Sequence, residues 1–166
     1  MDPAETLQTL AEVSIAFTGF SALIVALRAP QIGGLDSPGN RLGLALLFGW
    51  SLSALLMSLT PLILSASGVG PDDLWSIASG LAGAFFLVGG TAVAIANVRL
   101  PTEEQIGQLV LTLGGALHVG IAAALIWNAI GPSSPGLLLG SIVLMLGFAA
   151  WTMLYFIFPP VRNQRS

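Results

Sequence analysis

Apolar residues run through this chain in five long blocks, each interrupted by a short cluster of Gly, Pro, Asp or Arg. Each block is long enough for a helix that crosses about 30 Å of hydrocarbon, which takes about 20 residues. The pattern predicts spans over 3–27, 41–65, 72–97, 103–130 and 135–158. Asp2-Pro3-Ala4-Glu5 reads as the first helix start, with Asp2 as cap and Pro3 at the first helical position. No basic stretch precedes it, so a mature span is expected rather than a cleaved leader. Gly33-Gly34 with Pro38-Gly39, and Gly68-Val69-Gly70-Pro71, read as turns, and Pro61 falls inside the second block, where it should bend the helix. Asp72 or Asp73 is the expected cap of the third helix. Thr102 with Gln105 resembles a capping box for the fourth, and Ser134-Pro135 opens the fifth.

Composition turns five helices into a membrane protein. Only 8% of the 166 residues are charged and 55% are hydrophobic, against about 25% charged in an ordinary soluble domain. Such a chain cannot cover a water-facing surface, so the expected fold is a single-domain, all-α integral membrane bundle with the lipid bilayer as its outer solvent. There is no room left for a soluble catalytic or nucleic-acid-binding domain, and a net charge of −3 does not point to nucleic acid. The five basic residues are Arg28, Arg41, Arg99, Arg162 and Arg165. With five spans, all fall in the first loop, the third loop or the C-terminal tail, on one side. The positive-inside rule then puts the N-terminus outside and the C-terminus in the cytoplasm.

Absences narrow the chemistry. There is no Cys, hence no disulfide or thiolate site, and no Lys, hence no retinal Schiff base. A single histidine excludes a multi-histidine metal or haem site within one chain. No nucleophile with a base and no phosphate-binding loop is visible, so an enzyme is not expected.

Polar residues inside the spans are the candidate chemistry. Glu12 lies several residues inside the first span, where an acid is costly and is by default a functional candidate. Helical spacing puts Glu5, Gln8, Glu12, Ala16 and Gly19 on one stripe, polar toward the N-terminus and small at mid-span. That stripe would suit a vestibule or a protonatable, ion-binding pathway; the plainer reading is a structural hydrogen-bonding group. Ser14, Thr18 and Ser21 lie nearly opposite, where hydroxyls can bond the preceding turn or a neighbouring helix. His118 sits near the middle of the fourth span behind Gly114 and Gly115. A neutral imidazole bonded to a neighbouring helix, a relay partner for Glu12, and an axial ligand for a tetrapyrrole are the three readings open to it; otherwise no cofactor is expected. Gly114, His118 and Trp127 loosely resemble the small-residue, histidine and later tryptophan arrangement of bacterial light-harvesting polypeptides, a resemblance that implies a tetrapyrrole at His118.

Small-residue runs predict close helix packing: Ser76, Gly80 and Ala84 in the third span, Gly114 and Gly115 in the fourth, Gly136 and Gly140 in the fifth. Trp75 and Trp127 are expected at the outer interface, Trp50 and Trp151 between helices or subunits, and Asn97 and Asn128 as interfacial caps. Five short spans can hardly enclose a wide path, so a homo-oligomer or a subunit of a larger membrane complex is expected.

The segment Leu10-Ala11-Glu12-Val13-Ser14-Ile15-Ala16-Phe17-Thr18-Gly19-Phe20-Ser21 resembles the first span of an uncharacterised family of small bacterial multi-pass inner-membrane proteins. The resemblance implies that location and no activity. The functional expectation is a channel- or transporter-like oligomer around Glu12, or a non-catalytic subunit of a larger, pigment-binding or other, membrane complex.

Overall fold

A computed structural model describes residues 2–28, 38–102, 105 and 108–157 of the chain. It contains five helices: α1 (Pro3–Arg28), α2 (Pro38–Ala66), α3 (Pro71–Val98), α4 (Gln108–Ile130) and α5 (Pro135–Ile157). Each is long and apolar enough to cross a membrane. At 1.5 Å per residue, the 26 residues of α1 reach about 39 Å, more than a hydrocarbon core needs.

The helix ends follow local chemistry, with three departures from the sequence-based expectation. Asp2 caps α1 as expected, its Oδ1 accepting the Ala4 N–H at 3.0 Å. α2 starts at Pro38, so Pro38-Gly39 is its first turn and not a loop; proline's fixed φ suits that position. α3 is capped by the Gly70 backbone with Pro71 behind it, and no side chain caps it. Asp72 and Asp73 lie in its first turn, where the helix dipole favours acids. The Gln105 amide donates to the Leu100 carbonyl at 2.9 Å instead of closing a box with Thr102, because the chain turns back on the end of α3. Glu103 and Glu104, Arg162, Arg165 and Phe158 lie outside the described residues. Between α2 and α3, Gly68 takes φ +85°. Its N–H bonds Ser65 O while the Val69 N–H bonds Leu64 O, the paired closure that requires a left-handed residue just past a helix end.

Packing divides the helices into two groups. α1, α2 and α5 pack on one another, α3 pairs with α4 over the most extensive helix contact, and the groups meet along α2 and α3. Within the first group, buried positions recur every three and four residues: Leu7, Ala11, Ser14 and Ser21 on α1; Leu44, Leu47, Ser51, Ala54, Ser58 and Pro61 on α2; Leu138, Ile142, Met145 and Ala149 on α5. That spacing is the seam of antiparallel or parallel helices crossing at a shallow angle. Serines can sit in these seams because each hydroxyl is satisfied by its own helix. Ser14 donates to Leu10 O at 2.6 Å, Ser21 to Phe17 O at 2.7 Å and Ser58 to Ala54 O at 2.8 Å. Thr18 likewise donates to Ser14 O, so the back-bonding expected of Ser14, Thr18 and Ser21 is present.

Candidate functional site

Two polar positions inside otherwise apolar helices stand out, and they have opposite surroundings. His118 on α4 lies against α3. Its Nε2 is 2.7 Å from the carbonyl oxygen of Phe86, so the ring donates through Nε2 and Nδ1 is left as the acceptor nitrogen. A mid-helix carbonyl is normally shielded by the side chain one turn on. Here that residue is Gly90, and a Cβ built there would lie 2.4 Å from His118 Cδ2 and 2.7 Å from Nε2. The glycine is what admits the imidazole. Around it, the Phe86 ring tilts at 4.8 Å, the Trp50 ring meets it edge-on at 5.6 Å, and Phe148 stacks on Trp50 at 5.2 Å. Helices α2, α3, α4 and α5 thus each give one ring to a single aromatic cluster. Trp50 packs between helices, in keeping with its place in the sequence.

Glu12 lies on the opposite sort of surface. Glu5, Gln8 and Glu12 are all exposed, as are Ala16 and Gly19 farther along the same stripe. Glu12 Oε1 accepts from Gln8 Nε2 at 3.4 Å, a long bond between neighbours on one helix. A Cβ on Gly19 would meet nothing within 4 Å. The stripe faces away from the bundle, so within one chain it lines no enclosed vestibule. Glu12 and His118 are bonded to different partners on different helices, and no relay between them is formed in the single chain.

The packing glycines divide in the same way. Gly80 lies in the α3–α4 seam, where a Cβ would stand only 3.5 Å from the Ala129 methyl carbon. Gly83, outside the small-residue run of the sequence, is tighter still: a Cβ there would lie 3.0 Å from Ile126 Cγ1. Ala84 is exposed, because the seam runs through Ser79, Gly83 and Phe86, one helical position away. Gly114, Gly115, Gly136 and Gly140 have no atom within 4 Å of a Cβ position. Among the described residues, no neighbouring helix packs on them: α5 buries Leu138, Ile142 and Met145, and Gly136 and Gly140 fall on its far side. Trp151 is 70% exposed on α5, and Trp127 is 64% exposed on α4, whereas Trp75 is partly buried against the core.

At the end of the α3–α4 pair, polar groups lock the connection to α5. Buried Asn128 donates to Ser79 Oγ at 2.8 Å and to Ser134 O at 2.9 Å, and accepts the Ser134 N–H at 3.0 Å. The Ser76 hydroxyl donates to Ala129 O. Asn128 is thus a buried clamp across the turn between α4 and α5.

For a tetrapyrrole, the open space at Gly114 is favourable. The Nε2 engaged at Phe86 O leaves only Nδ1 for a metal, beside the Cβ and hence the more hindered nitrogen. Comparisons with protein families, curated proteins and solved structures return no match for this chain.

Proposed function

We propose that the protein is a multi-pass bacterial inner-membrane protein, N-terminus outside, that works as an oligomer rather than as an enzyme, with α1 of each copy bordering a polar pathway around Glu12. The observation that carries this reading is the exposure of Glu12, Gln8, Ala16 and Gly19 along one face of α1. A carboxylate left against lipid costs about 2.5–3.5 kcal/mol at the centre of a span and less in the outer half, where Glu12 lies, and intramembrane acids face a protein interior or a water-filled cavity. Among the described residues, the hydrogen-bond partner of Glu12 is Gln8 on its own helix. A neighbouring copy packed on the small residues Ala16 and Gly19 would shield the acid and bring several of them around one path.

Flux of protons or monovalent cations into proteoliposomes tests it. The wild type should conduct and Glu12→Gln should not; flux that survives Glu12→Gln removes the pathway. Because the chain has no Cys, single cysteines placed at Gly70 and Ser166 report orientation cleanly. Gly70 should label from outside and Ser166 only after the membrane is opened.

A second reading, an accessory subunit of a larger membrane complex, is favoured by the uncovered glycines of α5 at Gly136 and Gly140. Gentle native purification separates the two. A single-species oligomer supports the first, and a stable second polypeptide or a visible absorption band lost in His118→Ala supports the second.

A further inference from the structure

Where the two helix groups meet, α2 and α3 do not close on each other. A groove of about 160 Å³ runs between them, with Leu42, Gly49 and Ser53 on one wall and Phe85, Gly89 and Val93 on the other. Trp50, His118 and Met145 also line it. It continues into a second recess of about 150 Å³ that shares Ser53 and Phe85 and reaches Thr60 and Ala78. The groove exists because glycines stand where side chains would fill it: a Cβ on Gly49 or on Gly89 would meet nothing within 4 Å.

Among the described residues, the charged groups at one end of the groove are basic. Arg41 immediately precedes Leu42 and lies one turn before Ala45 on the same face, and Arg99 ends α3 beyond Val93. Both arginines are exposed. From Leu42 to Ser53 is about 16 Å along the helix, which matches one leaflet, half of a hydrocarbon core about 30 Å thick. Basic pockets between membrane helices are where anionic headgroups are held.

We propose that the α2–α3 groove is a binding site for one anionic phospholipid, its phosphate between Arg41 and Arg99 and one acyl chain lying over Gly49 and Gly89 against Trp50 and His118. The charge sets the headgroup and the length sets the leaflet: a chain entering from the arginine end is spent by Ser53, so the second recess belongs to the opposite leaflet. The groove is lined by α2 and α3 with His118 of α4 and Met145 of α5, contains no residue of the α1 stripe, and does not depend on it.

Native mass spectrometry of the full-length protein, delipidated and then offered phosphatidylglycerol or phosphatidylcholine in mixed micelles, tests the site. Phosphatidylglycerol should be retained and phosphatidylcholine should not. Replacing both Arg41→Gln and Arg99→Gln should weaken phosphatidylglycerol retention roughly thirtyfold, from two basic side chains near an anionic headgroup. Gly49→Leu with Gly89→Leu should abolish it while leaving the unfolding temperature unchanged, since the added side chains enter open space. Equal retention of the two lipids, or retention that survives the leucine pair, overturns the proposal. So does a dimer that the leucine pair dissociates in the absence of lipid, which would make the groove's occupant a second copy.

Discussion

The surroundings of His118 and of Glu12 show two ways for an apolar helix to carry a polar side chain. His118 is provided for by its own chain: a carbonyl at Phe86, a glycine at Gly90 that uncovers it, and rings from α2 and α3 on its sides. Glu12 has a glutamine one turn before it and open space below. A group whose partners come from the same chain belongs to the fold. A group in a membrane span with little around it among the described residues is the better candidate for contact with something else, and that difference, more than the residue type, separates architecture from candidate function.

The contrast can be broken most forcefully at Gly90. Gly90→Val should destabilise the protein by about 3 kcal/mol, from overpacking and a lost hydrogen bond, seen as a fall in unfolding temperature in detergent. Much of that loss should vanish when His118→Ala is already present, since the clash is with the imidazole; a full penalty in the double variant would mean that Gly90 matters for another reason. His118→Ala alone should cost about 2 kcal/mol, one hydrogen bond and two ring contacts. Asn128→Ala, which strips Ser79 and Ser134 of a shared partner, should cost about 1–2 kcal/mol by the same measurement. Glu12→Gln should lie within about 0.5 kcal/mol of wild type as a monomer, yet shift the mass of the particle at low detergent. If it instead unfolds the monomer as His118→Ala does, Glu12 belongs to the fold after all. Smallest of all should be Gly136→Ala and Gly140→Ala, which add a methyl to open space.

Helix number and approximate length are legible in the chain because they depend on hydropathy and on turn residues: the apolar block at 3–27 becomes Pro3–Arg28, and Gly68 announces the turn it makes. Helix rotation is not legible. In a soluble protein the polar face says which side is out, but here Phe86 is buried while Leu87 and Val88 beside it are 44% and 71% exposed. Equally apolar neighbours look alike in a sequence, so nothing there distinguishes Ala84 from Gly83, which holds the seam. The histidine and its glycine are far apart in the chain, on different helices, and nothing local links them. The one available signal for the pair is a doubled glycine, Gly89-Gly90, directly after the bulky run Phe85-Phe86-Leu87-Val88, since a glycine there uncovers backbone for some partner.

The division of the helices also has a consequence for how the chain is made. α5 leaves α4 through a short turn held by Asn128, yet packs chiefly on α2 and α1. Emerging after α4, it must travel past the α3–α4 hairpin to reach helices synthesised well before it, so the three-helix group stays incomplete until α5 is out. The α3–α4 hairpin, by contrast, can pair as soon as Ile130 is out. A chain truncated after α4 would keep the His118–Phe86 bond and the direct contact of α1 with α2, and would leave the sides of both helices that α5 covers open to whatever helix came next.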